Sequence, residues 1–521
     1  MRLLTFYLLL PALLLSACAP TATATPFPTY DPFVQGDGSG LPILPMDGSP
    51  RPTRTAGPTP TRAPLSVTIP AHDPNAPLVT PTPDLPRLLP TPRLNADQYV
   101  VQAGDTLGSI SQRYGVSLGA LMQANSLSDP NLLTVGMTLT IPIPESGLAG
   151  PSFKILPDSE LVYGPASALF NVDEFIQSQG GYLASYSEDV NGETLTAAQV
   201  ITLVAQNYSV NPRLLLALIE YKSGWLTQPQ PQTSDYPLGL ADANHAGLYH
   251  QLTWAANELN RGFYVWRANA VSTWVLADGT VVPVDATLNA GTAGVQHLFA
   301  QLDSLASWQT DVTLAGLFQT YYLLFGNPFD LAIEPLKPHG LTQPNLSLPF
   351  ARGETWSFTG GPHGGWDAGS GWAAIDFAPP GETACGTSSD AWVTASADGL
   401  IVRAKDGAVI QDLDGDGYEQ TGWVILYMHI EARDRVQPGT YVYADDRIGH
   451  PSCEGGDANG IHVHLARRYN GEWIAADGPL PFNLDGWVSS GTGNEYDGFL
   501  TRGSSQVEAW DGVNDLNQIT R

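Results

Sequence analysis

Basic residues are scarce in this chain: 23 Lys and Arg stand against 51 Asp and Glu in 521 residues, a formal net charge of −28. Binding to nucleic acid rests on neutralising phosphates with a basic surface, so nucleic acid is set aside as a partner. Cysteine is nearly absent, with three residues, which rules out a disulfide-dense scaffold. No His-Glu-x-x-His helix occurs, and this excludes a thermolysin-like metal site. The apolar run from Leu3 to Leu15 is too short to span a bilayer comfortably. Apolar residues nevertheless make up 43% of the chain, enough to bury ordinary cores in two to four domains.

Met1-Arg2 followed by the apolar run and Leu15-Ser16-Ala17-Cys18 reads as an export signal over residues 1–17. It resembles the lipobox of bacterial lipoproteins. The resemblance implies an exported cell-envelope protein held to a membrane by lipid on Cys18. Cys385 and Cys453 then remain as an even pair, expected to form a disulfide in an oxidising compartment. Residues 18–97 form a tether. Nineteen of the 43 prolines fall between Pro20 and Pro92, interleaved with Thr, a composition that favours extended polyproline II over packing.

Residues 98–144 carry a compact pattern. Tyr99-Val100-Val101 suits a strand, and Gly104-Asp105-Thr106-Leu107 suits a capped helix start. Ile110, Tyr114, Leu118, Leu121 and Met122 recur at helical spacing, Asn125 ends a second helix, and Gly136 to Pro142 closes as a strand. The whole stretch resembles a LysM module. That implies a βααβ fold binding peptidoglycan glycan in a shallow groove, through backbone groups of Gly104, Asp105, Thr106 and Leu107 and around Leu133 and Thr134.

Residues 150–342 read as mainly helical, with Asn211-Pro212 at a helix start and Ile201, Val204, Ala205, Leu214, Leu215 and Leu218 on the faces of paired helices. Val210 to Ile219 with Ser223-Gly224-Trp225, then Gly247-Leu248-Tyr249-His250-Gln251 and Asn289-Ala290-Gly291, are similar to the lytic-transglycosylase, lysozyme-like fold. That family's catalytic Glu directly precedes the Ser-Gly pair, and here the position is Lys222. Glu220 lies two residues back, about 200° round a helix. The domain is therefore expected to be a degenerate, non-catalytic relative.

From 345 to 521 the chain reads as a largely antiparallel β domain of Gly-punctuated strands. Five of the ten histidines follow residue 360. Ile461-His462-Val463-His464 alternates along a strand, with both imidazoles on one face, and Trp423 to Ile430 brings in Tyr427 and His429 at the same two-residue step. Zinc prefers imidazole and carboxylate, and a catalytic site uses three protein ligands. Gly361-Pro362-His363, Ile375-Asp376-Phe377-Ala378, Tyr427-Met428-His429 and His462-Val463-His464 resemble the lysostaphin-type, β-lytic zinc metallopeptidases that cut peptide cross-links in bacterial walls. The resemblance implies His363, Asp376 and His464 as zinc ligands. It makes His429 and His462 an uncoordinated pair for proton handling and oxyanion stabilisation, with Tyr427 helping. A His363/Asp367 ligand pair is a rival reading. Asp412, Asp414 and Asp416 begin like a calcium loop, but the twelfth position is Trp423, and a tight Asp-Gly hairpin explains the run as well.

The expected protein is a wall-targeted zinc endopeptidase with peptidoglycan as partner. The alternative is a lipoprotein scaffold that activates other wall hydrolases, and a third reading is a purely glycan-binding structural lipoprotein. Neither accounts for five intact metal-site residues.

Overall fold

The computed structural model describes residues 81–521 apart from 92, 103, 104, 145, 146 and 382. The export signal, Cys18, most of the tether and Gly104 lie outside the described residues. Among those described, no helix is long and apolar enough to cross a membrane.

The first folded unit is βααβ: β1 (Asp97–Val100), α1 (Leu107–Tyr114), α2 (Leu118–Ala124) and β2 (Thr138–Ile141), with β1 and β2 antiparallel. Thr106 and Ser109 form a reciprocal capping box that starts α1, and Gly115 ends it at φ 61°. Asn125 joins helix to sheet. Its Nδ2 donates to Leu121 O and Thr140 O, and its Oδ1 accepts from Thr140 N–H. Leu107, Ile110, Leu121, Leu139 and Ile141 bury the small core.

The middle region is helical with two small hairpins. It contains α3 (Val172–Gln179), the hairpin β3 (Ser187–Val190) and β4 (Glu193–Thr196), α4 (Ala197–Tyr208), α5 (Pro212–Ser223) and α6 (Leu248–Arg267). The hairpin β5 (Thr273–Val275) and β6 (Val281–Pro283) follows, then α7 (Ala290–Leu302), α8 (Leu305–Asp311) and α9 (Leu317–Phe325). Asn211 caps α5 with Pro212 in its first turn, where a missing N–H does no harm. Helices α6 and α7 cross through glycine: a Cβ on Gly262 would lie 2.7 Å from Ala293 O, and one on Gly294 2.7 Å from Leu259 O. Inside the bundle Arg213 meets Glu160 at 2.8 Å, with Asn211 and Tyr321 completing the carboxylate's shell. A buried ion pair of this kind is tolerable because its hydrogen bonds are filled.

The C-terminal region is built on an antiparallel sheet. Its strands are β7 (Thr355–His363), β8 (Ala374–Ala378), β10 (Gly399–Lys405), β11 (Ala408–Asp412), β12 (Trp423–Met428), β13 (Tyr441–Val442), β15 (Val463–Tyr469) and β21 (Gln518–Thr520). They stand in the order β13-β10-β11-β12-β15-β8-β7-β21, with β16 (Glu472–Trp473) paired to β15. Short strands β9 (Val393–Thr394) and β14 (Arg447–Gly449) pair separately. Another sheet holds β17 (Asn483–Leu484), β18 (Trp487–Gly491), β19 (Gly498–Arg502) and β20 (Ser505–Glu508). One face of the main sheet buries Phe358, Phe377, Ile425, Tyr427, Val463 and Leu465. The other carries Ala374, Ile410, Leu426, Met428, Ala466 and Trp473, and Tyr264 of α6 packs onto it. The helical region is stitched to that side by Ser209 to Gly471 O (2.7 Å), Lys337 to Glu472 (2.6 Å) and Arg267 to Glu472 (3.2 Å).

Because the α6–α7 crossing leaves no room for a Cβ at Gly262, Gly262→Val should lower stability by roughly 1–3 kcal/mol through overpacking. A shift of the urea midpoint checks this. An unchanged midpoint would mean the helices can move apart freely.

Candidate metal centre

Strand β15 lies between β12 and β8, and its register sets His464 opposite both Asp376 and Met428. Residues opposite each other in adjacent strands share a face, so imidazole and carboxylate meet on the face that carries Trp473. Strand β7 delivers the third group. Its register shifts between Phe358 and Gly360 and again before His363, which comes opposite Ala374. At Gly360 a Cβ would collide with the Asp376 carboxylate, so glycine there is a spatial requirement of the site.

His363 Nε2 and His464 Nδ1 stand 2.9 Å apart, and each is 3.3 Å from Asp376 Oδ1. His462 Nε2 is 3.9 Å from the same oxygen. The imidazoles of His429 and His462 lie alongside each other, 4.5 Å between centroids. Each of the four rings spends one nitrogen on a backbone carbonyl: His363 Nδ1 on Gly361 O (2.8 Å), His464 Nε2 on Gly365 O (3.1 Å), His462 Nδ1 on Gly460 O (2.8 Å) and His429 Nδ1 on Glu454 O (3.1 Å). A carbonyl only accepts, so the nitrogen facing it carries a proton, and the other nitrogen of each ring is the one that can offer a lone pair to a metal or a proton. Asp376 Oδ1 is buried without a hydrogen-bond partner among the described residues. Two imidazole lone pairs and an orphaned carboxylate oxygen within 4.8 Å of one another suit a cation. Carbonyl support behind ligating histidines is the usual outer layer of such a site.

The electrostatics follow from burial and from these neighbours. Burial opposes ionisation of Asp376, but the imidazoles of His363 and His462 outweigh it and hold the carboxyl well below its usual range. Burial works against protonation of His363, and the Asp376 carboxylate overcomes it, so that group is raised. His464 is lowered by burial. His429 is pushed down to about 3 by burial and by the charges of His462 and His464, which keeps its imidazole neutral.

Two expectations need correction. Tyr427 and His429 do not act from one face. Tyr427 is fully buried on the opposite side of the sheet, donating to Gln411 Oε1 at 2.8 Å and accepting from Ser396 N–H at 2.7 Å. His429 follows the end of β12 at φ 64°, and this left-handed residue breaks the two-residue alternation and swings the ring to the His464 side. The rival ligand Asp367 is likewise elsewhere, taking Tyr208 OH at 3.2 Å and Ala368 N–H at 2.6 Å.

The remaining residues behave as follows. Cys385 and Cys453 are bridged, next to the Glu454 carbonyl that holds His429. In the acidic turn, Asp412 accepts from the N–H groups of Asp414, Gly415 and Gly417, and Asp416 accepts from Tyr418 N–H and Thr421 OH. Burial, with the charges of Asp414 and Asp416, raises Asp412 to about 8. The Asp-Gly hairpin accounts for this turn, and calcium is not supported. In the βααβ unit, Asp105 accepts from Tyr99 OH and Gln102 N–H, Thr106 caps α1, and the Leu107 side chain is core. Leu133 packs against that core and Thr134 is exposed.

Sequence reasoning missed Tyr496. Its ring stacks on His363, 4.3 Å between centroids, and its backbone brackets that residue through Gly361 N–H to Tyr496 O and Tyr496 N–H to Pro362 O. The only signal was the glycine frame of Gly491, Gly493 and Gly498 around it.

Residues 99–142 match the LysM domain family, and residues 154–338 match the family described as LasA, N-terminal domain. These matches agree with the LysM resemblance of the motifs and make the middle of the chain similar to LasA. Protease LasA of Pseudomonas aeruginosa is 26% identical over 298 residues, covering 52% of this chain and 66% of LasA. The chain thus spans just under two thirds of that relative's length. Among solved structures, the M23 metalloprotease pseudoalterin is 21% identical, with 33% of this chain and 96% of that chain covered and a TM-score of 0.26. The catalytic domain of lysostaphin from Staphylococcus simulans is 22% identical, with 23% and 87% covered and a TM-score of 0.17.

Tyr427→Phe should lower stability by about 2 kcal/mol in urea unfolding, because Gln411 Oε1 and Ser396 N–H lose a buried partner, while metal binding stays as in the unmodified chain. Loss of metal from this variant would return Tyr427 to the site.

Proposed function

We propose that the chain is a zinc endopeptidase of the bacterial cell wall that cleaves the peptide part of peptidoglycan, held to wall glycan by its LysM module. The convergence of His363 Nε2, His464 Nδ1 and Asp376 Oδ1, with the outward protons of both rings fixed on carbonyls, carries this reading. These three residues would hold the ion. When bound there, zinc supplies a Lewis acid that polarises a carbonyl and acidifies water.

The chain's own groups then divide the work. His429 is neutral, and its Nε2 lone pair takes a proton from the attacking water and returns it to the amine that leaves as the peptide C–N bond breaks. His462, whose Nε2 lies 3.9 Å from Asp376 Oδ1, is placed to stabilise the oxyanion as it develops. Burial of the cluster, with His363 and Asp376 both under a tenth exposed, keeps competing water away and strengthens these interactions.

The helical region takes no part in glycan cleavage in this proposal. Lys222, at the position of the lytic-transglycosylase acid, pairs with Asp303 and Asp311. The Glu220 carboxylate is occupied by Leu226 N–H, Thr227 N–H and Thr227 OH. Lipid on Cys18 would anchor the protein at the envelope, and Cys18→Ser should move it from the membrane to the soluble exported fraction. Membrane retention of that variant in fractionated cells would remove the anchor from the proposal.

The scaffold reading, in which the chain only activates other hydrolases, gives no role to a complete ligand set. Zinc content measured beside cleavage of cross-linked muropeptides separates the two. Asp376→Ala and His464→Ala should lose both zinc and cleavage, because a three-ligand site is left with two. His429→Ala and His462→Ala should keep close to one zinc per chain and lose roughly 10²–10⁴-fold in turnover. An unmodified chain that binds zinc but cleaves nothing would favour the scaffold.

A further inference from the structure

His464 turns Nδ1 towards the ligand cluster because its Nε2–H is engaged by Gly365 O. Gly365 belongs to the turn 364–373 between β7 and β8. The turn closes through Gly365 N–H to Gly371 O at 3.0 Å and Ala373 N–H to the same carbonyl at 2.7 Å. Four of its residues are glycine, which gives the backbone wide freedom; Ser370 Oγ ties the turn from within, accepting from Trp366 N–H and donating to Asp367 O, and Gly369 and Gly371 take outside support.

That support comes from α6. Asn257 Oδ1 accepts Gly369 N–H at 2.7 Å, and the two backbones are so close that a Cβ on Gly369 would collide with Asn257 O. Seven residues on, and therefore on the same helical face, Tyr264 lies against Gly371, where an added Cβ would come within 3.0 Å of its ring. The Tyr264 hydroxyl also accepts Trp473 N–H at 2.8 Å. Trp473 is the residue whose indole leaves no room for a Cβ on Gly365. One face of α6 therefore grips the turn at Gly369 and Gly371, and through Trp473 it backs the glycine whose carbonyl holds His464.

We propose that Asn257 and Tyr264 are positioning residues of the metal centre: they hold the turn 364–373 so that the Gly365 carbonyl fixes the tautomer and orientation of His464. This rests on the reading of His363, Asp376 and His464 as metal ligands and extends it, because metal affinity then depends on a helix that supplies no ligand. Loss of the partner behind a ligating imidazole weakens metal binding by roughly 10–100-fold. Indirect loss through the turn should fall at the lower end of that range.

The test uses the full chain and two readouts. Zinc affinity is measured by competition with a chromophoric chelator. The His464 Nε2–H signal is followed by NMR in metal-free protein with 15N-labelled histidine, and is identified by its disappearance in His464→Gln. Asn257→Ala removes the acceptor for Gly369 N–H and should weaken zinc binding about tenfold and abolish the protected Nε2–H signal. Asn257→Asp keeps an acceptor oxygen and should restore both. Tyr264→Phe, the milder change, should move both readouts in the same direction by less. Wild-type affinity and an intact signal in Asn257→Ala overturn the proposal, as does Asn257→Asp failing to the same extent as Asn257→Ala. If the unmodified chain binds no zinc, the ligand reading fails, and the N–H signal of the metal-free protein still decides whether α6 positions His464.

Discussion

The His-Asp cluster depends on one cross-strand pair, His464 of β15 directly opposite Asp376 of β8. Side chains so placed share a face and stand within contact distance. The register that pairs them is enforced from the far side of the sheet, where Phe377, Val463 and Leu465 alternate with the polar pair and fill an apolar core. A slip of β15 by one residue would send its imidazole into that core and bring Val463 and Leu465 to the polar side. The packing of one face thus fixes the chemistry of the other.

Four histidines in a small buried volume would be an electrostatic liability if their protons were free to wander. Four backbone carbonyls, from Gly361, Gly365, Gly460 and Glu454, remove that freedom by engaging one nitrogen of each ring. Three of the four belong to glycine, where the backbone can come close to a ring without a side chain intervening. The peptide groups of loops that look featureless in sequence therefore do as much to define the ligand set as the imidazoles do.

Much of this was legible in the amino-acid sequence, and the division has a physical basis. His462 and His464 could be placed together because extended chain alternates sides, and His462 sits in a bridge just ahead of β15. The same rule failed three residues past Ile425–Leu426, because His429 takes a left-handed backbone that no residue pattern announced. The βααβ unit was readable since Thr106, Gly115 and Asn125 are local punctuation with local partners. Contacts made across more than a hundred residues left no such mark. The stacking of Tyr496 on His363 and the bond from Asn257 to Gly369 arise from how separate elements dock. Cys385 and Cys453 were paired by parity alone, which needs no geometry.

The position of β15 in the sheet bears on how the domain can come into being. Among the sheet's long strands it is made last, yet it sits in the interior, between β12 and β8. A chain that stopped short of residue 463 would leave two unpaired strand edges where β15 belongs, and such edges seek other strands. The strand that fills this gap is also the one that carries His464, with His462 just before it. Closure of the sheet and completion of the His-Asp cluster therefore come about together.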